Sequence, residues 1–123
     1  MSTVHNVDVA ILGAGTAGLS ARRAAKANGA SVVMIDPGPF GTTCARVGCM
    51  PSKLLIAAAE AAHHVHQAPM FGVNAAPPEI DGPAVMRRVQ SERDRFVCFV
   101  GESIDAIDEA GELIRERATV MGP

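Results

Sequence analysis

Hydrophobic and polar positions alternate between two kinds of run along this chain. Val7-Asp8-Val9-Ala10-Ile11-Leu12 is short, apolar and rich in β-branched residues, and it stops at Gly13. That predicts a strand, and its apolar flanks suggest a central, parallel one. Leu19 to Asn28 carries Ala at 21, 24, 25 and 27 and closes at Gly29, a strong helix former followed by a helix stop. Ser31-Val32-Val33-Met34-Ile35-Asp36 predicts a second strand, and Pro37-Gly38-Pro39-Phe40 a turn. From Pro51 to about His66 the pattern is helical, with Pro51 suited to the first turn. Ala68 to Pro78 holds three prolines and a glycine and predicts a loop. Asp81 is the expected N-cap of the next helix, with Pro83 in its first turn. Val85, Val89, Phe96 and Val100 then recur at roughly helical spacing. One long helix, or two broken at Gly101, should run from about Gly82 to Asp108. Glu112 to Glu116 reads as a third strand and Ala118 to Met121 as a short fourth.

The order of these elements predicts an α/β fold, a partial doubly wound (Rossmann-like) parallel sheet. Such sheets have about five or six strands. The shortfall suggests residues 1–123 are the N-terminal part of a larger nucleotide-binding domain.

Composition narrows the function classes. The chain has 123 residues, 48% hydrophobic and 20% charged, with net charge −2, as expected of one globular domain. The charge offers no electrostatic footprint for nucleic acid. No apolar run approaches the ~18 residues of a membrane span, and the N-terminus lacks a signal peptide's basic start. A cytoplasmic protein is expected, where thiols stay reduced unless their disulfide is transient, catalytic or sensing. The four Phe are accompanied by no Tyr and no Trp, so neither can stack on a bound ring.

Between the first two strands lies Gly13-Ala14-Gly15-Thr16-Ala17-Gly18, a G-x-G-x-x-G, and the second strand ends on an acid, Asp36. Strand, glycine turn, helix, strand and acid within about 30 residues form a dinucleotide fingerprint. Gly13 permits the tight turn, Gly15 lets the backbone approach a pyrophosphate, and Gly18 lets the helix pack close to the strand. Unpaired N–H groups at the helix start, around Thr16 and Ala17, favour phosphate. Asp36 can accept ribose hydroxyls, and its charge disfavours a 2′-phosphate. The fingerprint leaves FAD and NAD both open. A small residue is often found four positions after the third glycine. Here that slot holds Arg22, so Ala21 and Ala25 are the candidates for close packing.

The segment Gly41-Thr42-Thr43-Cys44-Ala45-Arg46-Val47-Gly48-Cys49-Met50-Pro51-Ser52-Lys53 carries the second signal. A disulfide needs Cα atoms about 4.4–6.8 Å apart. Residues five apart are separated by about 8.6 Å in a helix and about 16 Å in a strand. A Cys44–Cys49 bridge therefore demands irregular backbone, which Gly48 can supply. Cys49 falls at or just before a helix N-terminus, which favours its thiolate, and Lys53 comes one turn on. Two alternatives are thiols that never pair and half of a zinc site. His63, His64 and His66 match no familiar zinc spacing with these cysteines and read as a cationic or solvated helix end, so no metal is expected. Cys98, among Phe96, Val97, Phe99 and Val100, reads as a small core residue.

Gly13 to Gly18, Asp36 and Gly41 through Lys53 together resemble the N-terminal FAD segment of the class I pyridine nucleotide–disulfide oxidoreductases, which include dihydrolipoamide dehydrogenase, glutathione reductase and mercuric reductase. The likeness covers nearly the whole chain. It implies FAD rather than NAD at this nucleotide site. The family pattern is Gly-Gly-Thr-Cys-x4-Cys-x-Pro-x-Lys, and here Thr42 replaces the second Gly while Thr43 matches the threonine. By this resemblance Cys44 is the interchange thiol that meets substrate, Cys49 the charge-transfer thiol beside the flavin, and Lys53 the lysine near the flavin's reactive nitrogen. Asp36 stands where the family usually has Glu.

The resemblance further implies a homodimer that passes electrons between nicotinamide, FAD, the dithiol and a disulfide or dithiol substrate such as lipoamide. The NAD domain, the interface domain and its histidine base lie outside these residues, and His63, His64 and His66 do not match that histidine's motif. Pro51-Ser52-Lys53 and Met50 favour a dihydrolipoamide dehydrogenase. The alternatives are a mercuric or glutathione-type reductase or, for these residues alone, a non-catalytic nucleotide-binding module.

Overall fold

A computed structural model describes residues 4–122. The chain forms two compact units, one built from the segments up to Thr42 and from Cys98 onward, the other from Thr43 to Val97.

In the first unit three parallel strands, β1 (Val9–Leu12), β2 (Val32–Ile35) and β3 (Leu113–Ile114), lie in the order β1-β2-β3. Val9 is in register with Val32, and Met34 with Leu113. The α/β, partial Rossmann-like class expected from the element order is what forms. Helix α1 (Thr16–Ala27) makes the crossover from β1 to β2. The core comprises Ile11, Ala14, Val32, Met34, Ile104, Ile107 and Leu113, with Leu19, Ala25 and Phe40 packed against it. Met34 is fully buried, as expected of the middle strand.

Polar contacts tie the sheet together at both ends. At the start, Asp8 accepts bonds from the Ser31 N–H at 2.8 Å and the Ser31 hydroxyl at 2.6 Å, and its own N–H donates to Ser31 Oγ. These bonds hold the Asp8 carboxyl below its ordinary range. Before β3, Glu112 accepts bonds from Arg22 and Lys26 of α1. Arg22, which departs from the usual small residue, is thus an anchor between α1 and β3. Of the two alanines expected to compensate, Ala25 packs on the core while Ala21 is exposed.

The second unit holds α2 (Thr43–Val47), α3 (Cys49–Gln67) and the start of α4 (Gly82–Glu109). Asp81 caps α4 as expected, its Oδ1 accepting the Ala84 N–H at 2.9 Å.

Several expectations are corrected. β1 lies at the edge of the three-stranded sheet and β2 is central. The apolar run from Val7 buries only Ile11, while Leu12 is 59% exposed. Residues 118–121 form no strand, and Val120 and Met121 pack on nothing that buries them. Gly101 does not break α4. A mid-helix glycine costs about 1 kcal/mol, and helical continuity lets Ile104 and Ile107 enter the core. Residues 68–71 form a 3-10 turn closed by Gly72 at φ 76°, and the third strand is only two residues long.

Candidate dinucleotide and dithiol sites

The glycine turn separates into parts with different physical duties. Gly13 adopts φ +105°, a conformation other residues reach only with strain. A Cβ on Gly18 would lie 1.9 Å from the Gly13 carbonyl oxygen, so nothing larger fits where α1 passes β1. Gly15 is different. A Cβ there would meet nothing within 4 Å, and its φ is an ordinary −82°. The fold itself does not require glycine at that position, whereas a ligand drawn close to the backbone would.

Gly15 is also the N-cap of α1 and offers no side-chain cap; the first helical bond runs from Leu19 N–H to the Gly15 carbonyl. Thr16 and Ala17 are exposed at this terminus. Backbone N–H groups aimed outward from a helix start suit a phosphate. These residues fit the pyrophosphate of a dinucleotide.

Asp36 closes the other side of the turn. Its Oδ2 accepts the Ala14 N–H at 2.6 Å and its Oδ1 the Gly38 N–H at 2.7 Å. Each carboxylate oxygen keeps a second acceptor site for a ribose hydroxyl. The bond to Ala14 was not legible in sequence, because its partner lies 22 residues away, whereas the bond to Gly38, two residues on, is a local turn contact.

The segment after Gly41 contains a surprise of conformation. Thr42 has φ +58°, the left-handed region where a β-branched side chain is strained. The family pattern has Gly at this position, and the backbone explains it.

In the second unit, the irregular backbone expected between the cysteines is confined to Gly48. Cys44 lies in the short helix α2 and Cys49 begins α3, with Gly48 as N-cap at φ −120°, ψ −113°. A Cβ on Gly48 would sit 3.1 Å from the Thr43 carbonyl oxygen and 3.4 Å from Cys44 Cα. This close approach folds α2 back onto α3 and brings the two sulfurs together. Both thiols are free, Cys44 half-buried and Cys49 exposed. A hydrogen bond with Cys49 holds the Cys44 thiol above its ordinary range, helped by desolvation and by the charge of Cys49, while a hydrogen bond with the Cys49 backbone and then the charge of Lys53 pull the other way. Thr43 starts α2, and Lys53 is exposed on the first turn of α3.

A family model described as pyridine nucleotide-disulphide oxidoreductase matches residues 7–121. The chain belongs to this family. As a pyridine nucleotide-disulphide oxidoreductase, it is similar to several curated mercuric reductases. It is 48% identical over 80 residues to that of Streptomyces lividans, covering 64% of this chain and 17% of the relative. With that of Staphylococcus aureus it is 34% identical over 117 residues, 93% of this chain and 21% of the relative. With that of Bacillus cereus it is 38% identical over 113 residues, 90% and 17% respectively. The oxidoreductase chain thus spans about a fifth of the length of these relatives.

Other candidates fall away from the chemistry. His63 and His66 line an apolar groove of about 480 Å³ with Leu55, Ile80 and Val85. Among the described residues, no three His, Cys, Asp or Glu side chains are grouped to hold a metal. Cys98, expected in the core, is exposed on α4; its apolar neighbours misled because the buried stripe of the helix runs through other positions, Val89, Ile104 and Ile107. No helix among the described residues is long and apolar enough to cross a membrane.

Proposed function

We propose that this chain is the flavin-binding, dithiol-bearing segment of a flavoprotein oxidoreductase of the mercuric reductase type. The observation that carries the reading is the Cys44–Cys49 thiol contact beside the start of α3, in a chain that also carries the dinucleotide turn. The names of the relatives move the preference from dihydrolipoamide dehydrogenase to mercuric reductase. Pro51-Ser52-Lys53 and Met50 remain the observation favouring a dihydrolipoamide dehydrogenase as the second reading.

In this reading the backbone N–H groups of Gly15, Thr16, Ala17 and Gly18 hold the pyrophosphate of FAD. Asp36 accepts the adenosine ribose hydroxyls, and Thr43 and Lys53 attend the flavin end. FAD, when bound, supplies two-electron exchange with a nicotinamide held by a domain beyond these residues. Cys49 and Cys44 exist as a dithiol or, after loss of two electrons and two protons, as a disulfide. Cys44 is the thiol that meets substrate once its proton has left. A homodimer, completing the site with a base from the partner subunit, and a cytoplasmic location belong to the same proposal.

The test is substrate profile on the full-length protein. With reduced nicotinamide as electron source, Hg(II) should be reduced to volatile Hg(0), two electrons per ion, in preference to lipoamide or glutathione disulfide. Efficient lipoamide turnover without mercury reduction would instead establish the second reading.

A further inference from the structure

The end of β3 holds a cluster of contacts outside the glycine turn and the dithiol. Arg115, the residue after β3, donates to Asp108 Oδ2 of α4 from Nε at 2.8 Å and from Nη2 at 2.7 Å. Its Nη2 also lies 3.5 Å from Asp105 Oδ1, one turn earlier on α4. The guanidinium carbon stands 4.8 Å from the centre of the Phe40 ring, within the range of a cation–π contact. A single exposed ion pair contributes little. Here two carboxylates and a ring, from separate segments, converge on one guanidinium.

Two routes lead from Arg115 to Asp36. Along the first, the Asp36 N–H donates to the carbonyl of Ile114, the residue before Arg115, at 3.0 Å. β3 is two residues long, and a backbone bond at the end of so short a strand opens readily unless the chain beside it is fixed. Along the second, the Phe40 ring lies against Gly38, where a Cβ would stand 3.5 Å from the ring. The Gly38 N–H in turn donates to Asp36 Oδ1 at 2.7 Å. Arg115 thus steadies the main chain of Asp36 through Ile114 and its carboxylate through Phe40 and Gly38.

We propose that Arg115 is a positioning residue of the nucleotide site. It holds the Asp36 carboxylate where it accepts the hydroxyls of an adenosine ribose. This rests on the proposed role of Asp36 as the ribose acceptor. Arg115 acts through Asp36 and not on the ligand itself.

Equilibrium flavin binding to the full-length protein, first stripped of FAD, tests the idea with two probes. One is FAD. The other is the FAD analogue whose adenosine ribose lacks its 2′ and 3′ hydroxyls, which leaves Asp36 nothing to accept. Wild-type protein should prefer FAD. Arg115→Gln should weaken FAD about three- to fivefold, the scale of an exposed cation–π contact, and weaken the analogue by less than about twofold. Arg115→Lys keeps a cation over the ring and should restore most of the FAD affinity. Asp108→Asn should repeat the selective loss more weakly, which keeps the test decisive if Arg115→Gln fails to fold.

Equal weakening of both probes, or a preference for FAD that survives Arg115→Gln and Asp108→Asn unchanged, overturns the proposal while leaving the role of Asp36 intact. Wild-type protein that binds the two probes equally would overturn the ribose role of Asp36 itself, and the proposal with it.

Discussion

The carboxylate of Asp36 accepts the backbone N–H of Ala14 at 2.6 Å, bonding the end of β2 to the glycine turn after β1. Ala14 is buried, 3% exposed, so its N–H has no ready access to water. The acid of the fingerprint therefore shapes the nucleotide turn before any nucleotide arrives. Asp36→Ala leaves that N–H unpaired, at a cost of about 1–3 kcal/mol. Urea unfolding of the nucleotide-free protein should register that loss, and FAD titration should show weaker binding as well. Unchanged nucleotide-free stability would mean the bond contributes nothing to the turn.

Two glycines of one motif should respond in opposite ways. Gly18→Ala drives a methyl group into the Gly13 carbonyl, 1.9 Å away in the present geometry, and should destabilise the protein by about 3 kcal/mol or more. Gly15→Ala has open space and an ordinary φ, so nucleotide-free stability should fall by no more than about 1 kcal/mol, the penalty of alanine at an N-cap. FAD affinity should nevertheless fall, because the added methyl stands where the pyrophosphate approaches. Paired denaturation and FAD-binding curves separate the two effects.

Thr42→Gly should stabilise the protein by about 1 kcal/mol. Relief of the left-handed strain at φ +58° outweighs the added backbone freedom of the unfolded chain. A shift of the urea midpoint upward at unchanged slope is the expected result.

Glu112 makes the anchorage of α1 to β3 depend on pH. Hydrogen bonding from Lys26, and then from Arg22, holds its carboxyl below the ordinary value in the folded state. A group depressed on folding contributes stability above its unfolded value and loses it as pH falls through the folded one. Stability should therefore drop as pH falls below the ordinary glutamate range, and Glu112→Gln should flatten that drop while lowering neutral-pH stability by about 1–2 kcal/mol. Acid titration of unfolding free energy checks both.

How much of this was legible in the sequence depends on range. The glycine turn, α1, the acid at position 36, the Asp81 cap and the helix start at Cys49 were all visible, because each is fixed by residues within one or two turns. Arg22 looked like a defect until Glu112, 90 residues away, supplied its partner. The edge position of β1 and the missing strand at 118–121 depend on which strands pair, which local patterning does not encode. The folding of α2 onto α3 turns on one glycine in an unusual conformation, φ −120°, ψ −113°. Spacing could require an irregular link there without showing that a helical turn would precede it.

The central claim is that Cys44 and Cys49 form a functional pair with unequal duties, Cys49 facing the flavin and Cys44 the substrate. The most direct measurement is the visible spectrum of full-length, FAD-loaded protein after mild two-electron reduction. A long-wavelength thiolate-to-flavin charge-transfer band should appear in the wild-type protein, persist in Cys44→Ser and vanish in Cys49→Ser. A band that survives Cys49→Ser, or is lost only in Cys44→Ser, would contradict the assignment.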